Sequence, residues 1–249
     1  MELFPIRTKK IVAGDDLVSV LRGGEKTTDF LPQDILVISS KAVATAEGRI
    51  IKIGSMKPSA EALALAQESE LSEEFCEAVL QECAMWNGRV VHTCPGAILT
   101  ELRPSQHDTS ILIANAGLDQ SNVGEGYAVG WPLDPAESAG KLRRELECAV
   151  IISDSCCTPR RQGVTAFALA VSGLDPIRSE IGSVDLFGKK LRMTNEAVAD
   201  QLSTAANFLM GNAGQSVPTV IVRGHNLKLS EFEGWVPGIQ PGEDLFPLS

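Results

Sequence analysis

The chain has 249 residues, a formal net charge of −10 and a pI of about 4.9, with 44% apolar and 22% charged residues. This is the composition of a globular protein that can bury a large core, as one domain or as two lobes. The negative net charge argues against broad nucleic-acid binding, which needs a basic surface. No apolar run is long enough for a membrane helix and no signal peptide is evident, so we expect a cytoplasmic protein.

Strands and helices alternate in the first half of the chain. A buried strand is predicted over residues 34–40 and a short extended run over residues 49–53. Residues 58–84 are predicted to form two helices, because apolar residues recur there every three or four positions. Residues 90–91 and 110–114 are predicted to form neighbouring strands.

Helix signals are strongest in the second half. Asp134 is followed by Pro135 and by Glu137, which together give the capping pattern of a helix start. A last long helix is predicted to begin with Thr194 as its cap and to end at Gly211.

The remaining elements complete a mixed fold. Residues 164–171 are rich in Ala, Phe, Leu and Val and contain no charge, which indicates a strand or a core helix, of which the strand is preferred; residues 217–223 are predicted as a final strand. The tail, residues 228–249, is predicted to pack along a surface or a partner subunit. The predicted class is α/β (mixed α+β), with mixed sheets and flanking helices.

Two predicted strands lead directly into acidic residues. The apolar run at residues 149–152 is predicted to end abruptly before Asp154 and Ser155, and the run at residues 111–114 leads towards Asp119. Strand ends of this kind deliver oxygen ligands to the edge of a sheet, where Mg²⁺ or Mn²⁺ can bind together with nucleotide phosphates. The alternative is that both aspartates cap turns.

Common nucleotide-binding motifs are absent, because the chain has neither a P-loop nor a Rossmann glycine pattern. Three polar segments are candidate phosphate contacts: residues 39–41, 160–163 and 211–214. The alternative for residues 39–41 is a helix cap followed by a solvated lysine. For Arg160 and Arg161 it is a solvated pair.

The six cysteines form no C-x-x-C pair, and none lies at zinc-ligand spacing from any of the three histidines. A zinc enzyme is therefore not expected, and the thiols are interpreted as reduced, small core residues. Adjacent Cys156 and Cys157 leave a thiol nucleophile open as an alternative, although no histidine is nearby in sequence to activate it.

A series of short motifs resembles the coenzyme F420-0:L-glutamate ligases over nearly the whole chain, to about residue 226. The match is loose over the helical stretch at residues 58–88. The most specific block is N-A-G-x-D-x-S-N at residues 115–122. In chain order the motifs are Gly14-Asp15-Asp16-Leu17, Ser39-Ser40-Lys41, Ala46-Glu47-Gly48-Arg49, residues 115–123, Leu133-Asp134-Pro135, Asp154-Ser155, Arg161-Gln162-Gly163, Asp185-Leu186-Phe187-Gly188, Val198-Ala199-Asp200, Leu209-Met210-Gly211 and residues 220–224.

The resemblance implies a reaction. Members of this family add L-glutamate to the carboxyl group of a phospholactate-deazaflavin, using GTP and Mg²⁺ or Mn²⁺. The γ-phosphoryl group activates the acceptor as an acyl phosphate, which the glutamate amine then displaces. The resemblance also implies an intertwined homodimer. It leaves open whether K⁺ assists and whether GTP or ATP is preferred.

The resemblance matches residues 8–12 loosely to a nucleotide-binding segment. The site residues that it carries over by position fall into three groups. The expected catalytic residues are Asp119, Asp154 and Arg161; the expected nucleotide contacts are Ser40, Lys41, Asn122 and Asn212; the expected metal ligands are Asp119, Asp154, Ser155 and Asn212.

Departures from the family pattern cluster at the expected phosphate site. Thr45 stands where a lysine is common, Cys157 and Thr158 replace a glycine and an arginine, and Asn212 is neutral. Two alternatives therefore stay open. One is a diverged amide ligase that joins another amino acid to another carboxylate acceptor; the other is a non-catalytic protein that binds a nucleotide or a deazaflavin.

Overall fold

The computed structural model describes residues 1–104 and 109–246, so His107 and the last three residues of the predicted tail lie outside the described part. The helices are α1 (Leu17–Arg22), α2 (Ser40–Ala46), α3 (Ala60–Ser69), α4 (Glu73–Met85), α5 (Pro135–Leu146) and α6 (Val198–Met210). The strands are β1 (Glu2–Ile6), β2 (Ile35–Ser39), β3 (Ile50–Lys52), β4 (Arg89–Cys94), β5 (Ala97–Leu102), β6 (Ile111–Ala114), β7 (Tyr127–Val129), β8 (Ala149–Cys157), β9 (Val164–Leu174), β10 (Arg178–Ser179), β11 (Asn195–Glu196), β12 (Thr219–Arg223) and β13 (Leu229–Trp235).

One six-stranded sheet organises the molecule, in the order β1-β12-β2-β8-β9-β13. Its central pair, β2 and β8, is parallel, and the other pairings are antiparallel. Smaller sheets are formed by β3 with β7, by β4, β5 and β6, and by β10 with β11. The predicted mixed α/β class, with helices flanking mixed sheets, is confirmed.

The central strands are apolar on both faces because both faces of the sheet are covered. Leu36 and Ile152 point into the larger core, which includes residues of α3, α4 and α5. Val37 and Ile151 point the other way, into a second core beneath α6. The parallel pair is thereby held rigidly, and its carboxyl ends lie side by side.

The capping prediction at Asp134 is confirmed. Its side chain accepts a hydrogen bond from the Glu137 amide at 2.9 Å, and Pro135 begins α5. The prediction that residues 164–171 form a strand is also confirmed, by β9. Within the described residues, no helix is both long and apolar enough to cross a membrane.

The predicted end of the strand at residue 152 is wrong. β8 continues to Cys157, and Asp154 pairs with Phe167 of β9 after a shift of register between Ile152 and Ser153. Backbone pairing, rather than side-chain polarity, decides where a strand ends. Asp154 and Ser155 are therefore carried by a strand and not by a turn.

The predicted start of the last helix is also wrong. α6 begins at Val198, and no side chain caps it. Thr194 belongs instead to a hairpin, where its carbonyl accepts a hydrogen bond from the Glu180 amide at 2.9 Å. Its backbone is thus committed to the β10–β11 pairing and is not available to start a helix.

Residues 90–91 and 110–114 are not neighbours, because β5 lies between β4 and β6. The turn at Pro95-Gly96 reverses the chain, and the Gly96 φ of +85° is a conformation that favours glycine.

The prediction for the tail is incomplete, because part of the tail forms a strand. β13 joins the main sheet beside β9, and Trp235 is buried in the larger core.

Candidate active site

A cleft of about 560 Å³ opens at the carboxyl ends of β2 and β8, which is where open α/β sheets commonly bind ligands. Its lining combines parts of the chain that are far apart in sequence. The lining residues come from the segments 8–11, 39–45, 119–124, 153–155 and 207–218, together with Val164.

Asp119 stands on one side of the cleft. Its backbone is fixed by two hydrogen bonds with Val129, at 3.0 and 2.9 Å. Its carboxylate forms an ion pair with Lys41, and the Lys41 ammonium also donates to the Ser121 hydroxyl at 2.6 Å. Burial acts to raise the pKa of Asp119, but the hydrogen bond and charge of Lys41 outweigh it and the pKa is lowered. Asp119 is therefore ionised at neutral pH.

Asp154 also lines the cleft. Its Oδ2 accepts a hydrogen bond from the Trp131 indole at 2.5 Å, and its Oδ1 accepts one from the Ser155 amide at 2.9 Å. Burial raises the pKa of Asp154, and the charge of Asp119 adds to this. Hydrogen bonds from Trp131, Ser155 and Ser40 act in the opposite direction without cancelling the rise.

Three of the predicted nucleotide contacts differ in their burial and in their hydrogen bonds. Ser40 is buried, and its hydroxyl donates to Asp154 rather than facing the cleft surface. Asn122 lines the cleft, and its amide donates to the Ala213 carbonyl at 3.2 Å, which links the loop after Asp119 to the loop after α6. Asn212 lines the cleft and is exposed.

The structure thus brings Lys41, Asp119, Asn122, Ser155, Asp154 and Asn212 to one cleft. It does not bring Arg161 there. Arg161 is exposed in the turn between β8 and β9, where its amide donates to the Thr158 carbonyl at 3.1 Å. Its catalytic role stays a prediction.

Two features of the site were not predicted individually. Lys9 and Lys10 line the cleft, and the Lys9 ammonium is paired with Asp15 at 2.6 Å; the adjacent pair of lysines after β1 was the available signal. Trp131 contacts Asp154 directly. No sequence signal pointed to that contact, because Trp131 and Asp154 lie on either side of a helix.

The residues of the cleft fit a divalent cation that keeps water and substrate ligands. Among the described residues, no group of three or more His, Cys, Asp or Glu side chains is arranged to hold a metal alone. Mg²⁺ characteristically binds through one or two carboxylates plus phosphate oxygens. Asp154 faces the charge of Asp119, and no ion pair with a cationic side chain is found for it in the described part of the chain. A bound cation would stabilise this arrangement.

A cleft with convergent polar groups at the carboxyl ends of sheet strands is the usual form of a small-molecule site in an α/β protein. The comparisons with known proteins give the family. A family model described as F420-0:Gamma-glutamyl ligase matches residues 5–224, and the chain belongs to this family.

Similar proteins include three that are named coenzyme F420:L-glutamate ligase. The one from Methanothermobacter thermautotrophicus is 39% identical, covering 94% of this chain and 93% of that protein. The one from Archaeoglobus fulgidus is 35% identical, covering 91% and 89%. The one from Methanopyrus kandleri is 34% identical, covering 91% and 87%. The resemblance inferred from the sequence motifs is thereby confirmed.

Proposed function

We propose that this protein joins L-glutamate to the carboxylate of coenzyme F420-0, with GTP and a divalent metal, through an acyl-phosphate intermediate. The observation that carries the proposal is the meeting of Asp119, Asp154 and Lys41 in one cleft, in a chain that belongs to the F420-0:gamma-glutamyl ligase family.

The local charge of the cleft supports anionic substrates in spite of the acidic chain. The proposed nucleotide, deazaflavin acceptor and amino acid all carry negative charge, whereas the protein has a net charge of −10. Lys9, Lys10 and Lys41 line the cleft, where Lys9 is paired with Asp15 and Lys41 with Asp119, and their ammonium groups would bind phosphate oxygens. A divalent cation held through Asp119 and Asp154 would neutralise phosphate oxygens and the charge that develops on transfer.

The chemistry proceeds in two displacements. An acceptor carboxylate oxygen attacks the γ-phosphorus of GTP, and GDP leaves. The glutamate nitrogen then attacks the acyl carbon, inorganic phosphate leaves, and the amine loses a proton to give the amide. Activation is needed because an ionised carboxylate offers no leaving group to an amine.

Binding and orientation are the tasks of the protein side chains. Lys41 reaches the cleft from the first turn of α2, and the flexible stem of a lysine would let its ammonium turn from Asp119 to a phosphate. Both carboxylates are held at both of their oxygens: Asp154 by the Trp131 indole and the Ser155 amide, and Asp119 by Lys41 and the Ser121 amide. Positioning of this kind accounts for much of the catalysis of phosphoryl transfer.

The test is product analysis. The protein is incubated with F420-0, GTP, Mn²⁺ and a mixture of amino acids, and the deazaflavin is examined by mass spectrometry while GDP is measured. We expect glutamyl product, with GDP formed only when acceptor and glutamate are both present. Product with a different amino acid would favour the diverged ligase, and nucleotide binding without any turnover would favour the non-catalytic alternative.

We also propose that the protein is a homodimer. The hairpin between β9 and α6 extends into solvent with Leu186 and Phe187 at its tip, where Phe187 is 95% exposed. Contiguous exposed apolar residues can mark a surface that associates with another chain. Light scattering at several protein concentrations tests this, and a monomer at all concentrations would contradict it.

A further inference from the structure

The three tryptophans of the chain form one cluster beneath the cleft. The ring centroids of Trp86, Trp131 and Trp235 are 6.0 to 6.3 Å apart, and all three side chains are buried. Trp86 lies at the end of α4 and Trp235 at the end of β13, so separate parts of the fold hold the Trp131 ring. The position of this indole is therefore fixed by packing.

One edge of the Trp131 indole contacts the β8 side of the cleft. Its Nε1 donates to Asp154 Oδ2 at 2.5 Å. A carboxylate has about four lone-pair positions, and this bond together with those from Ser155 and Ser40 uses up most of them. Few acceptor positions of Asp154 are left for a ligand in the cleft, which Asp154 lines.

The same indole contacts the segment that leads to Asp119. A Cβ atom at Gly117 would lie 2.6 Å from the Trp131 Nε1, and the Gly117 φ of +74° also favours glycine. The turn at residues 115–117 thus lies directly against the ring. Beyond it, Asp119 is bonded to Val129, two residues before Trp131.

The Trp131 side chain therefore contacts both Asp154 and the turn that leads to Asp119. We infer that Trp131 is a positioning residue that fixes the separation of Asp119 and Asp154, and so the geometry in which they hold a divalent cation. This inference rests on the metal site of the proposed function. Mutation of a residue that hydrogen-bonds to a metal-ligating side chain typically lowers metal affinity by about 10- to 100-fold.

The matched pair of variants is Trp131→Phe and Trp86→Phe. Each removes one indole N–H from the same cluster, but the N–H of Trp86 donates to Glu82 at 3.3 Å and not to the cleft. Mn²⁺ affinity, measured in the presence of GTP by electron paramagnetic resonance, is expected to fall about 10- to 100-fold in Trp131→Phe and to stay near wild type in Trp86→Phe. Equal affinity in the two variants would overturn the inference.

A second measurement does not depend on the folding of Trp131→Phe. The wild-type protein labelled with ¹⁵N should show three indole N–H resonances, which Trp86→Phe and Trp235→Phe assign by elimination. Mg²⁺ added with GTP is expected to shift the Trp131 resonance most, and Asp154→Asn is expected to shift it without metal. A Trp131 resonance that responds to neither change would overturn the inference.

The two failures can be told apart. A wild-type protein that binds no Mn²⁺ in the presence of GTP would remove the proposed metal site and this inference together. A wild-type protein that binds Mn²⁺, with Trp131→Phe binding it equally well, would remove the inference alone.

Discussion

Replacing Lys41 by methionine is expected to have opposite effects on metal and on nucleotide. Methionine keeps an unbranched chain of similar length and removes the charge. In the free protein the ammonium is paired with Asp119 and occupies the side of the cleft where a cation would bind. Its loss should therefore tighten binding of Mg²⁺ alone, whereas binding of GTP should weaken because a phosphate contact is lost.

The magnitude follows from the burial of the pair. The side chains of Lys41 and Asp119 are 25% and 39% exposed, so the pair lies between a surface ion pair, which contributes up to about 1 kcal/mol, and a buried one, whose disruption costs about 3–5 kcal/mol. We expect Lys41→Met to lose about 1–2 kcal/mol of unfolding free energy at pH 7. The same energy corresponds to roughly tenfold tighter binding of Mg²⁺ alone.

The loss of stability should depend on pH in one direction. The pKa of Asp119 is lowered in the folded protein, so its contribution is complete above the unfolded pKa of about 3.9 and disappears as the pH falls through the folded pKa. The difference between wild type and Lys41→Met should therefore be present at pH 7 and shrink below about pH 4.

Urea denaturation and isothermal titration with Mg²⁺ and with GTP measure these effects. Lys57→Met is the control, because Lys57 is exposed and lies outside the cleft. Weaker binding of Mg²⁺ alone by Lys41→Met would refute the reasoning, since the ammonium would then not compete with the cation. An equal loss of stability in the control would also refute it.

The remaining predictions concern the site, the fold and the assembly. Asp154→Asn should lose at least about 100-fold in ligase activity with the fold intact by circular dichroism; full activity would remove Asp154 from the metal site. GTP with Mn²⁺ should raise the melting temperature by more than the sum of the two separate shifts; additive or absent shifts would argue against a joint site. Arg89 and Arg103 outweigh burial and lower the pKa of Glu101 from 4.5 to about 2, so the stability advantage of wild type over Glu101→Gln should be complete above pH 4.5 and decline towards pH 2; a constant difference would contradict this. Phe187→Ser should shift the protein from dimer to monomer in light scattering, and an unchanged dimer would exclude the hairpin tip from the interface.

Much of the fold could be predicted because local sequence patterns indicate its strands and helices. The apolar runs that became β2 and β9 are continuous because both faces of the sheet are covered, and the Asp134 cap depends only on residues next to it. The end of β8 and the start of α6 could not be predicted. Both are decided by backbone pairing with partners that are distant in sequence or hidden in a hairpin.

The site shows the same division. The pairing of Asp119 with Asp154 was predicted because two apolar runs each led into an acid, and the two acids do share one cleft. The contacts that shift the pKa values of these carboxylates were not predicted, because Lys41 and Trp131 reach them only after the sheet and the tryptophan cluster have formed. Residue types indicate the chemistry, whereas the hydrogen bonds that set pKa values belong to the tertiary structure.

The most direct measurement is the anomalous diffraction of manganese in crystals grown with Mn²⁺ and a non-hydrolysable GTP analogue. A manganese peak within coordinating distance of both Asp119 and Asp154, next to the bound phosphates, is the predicted result. A nucleotide bound in the cleft with no manganese at either carboxylate would contradict the proposed site.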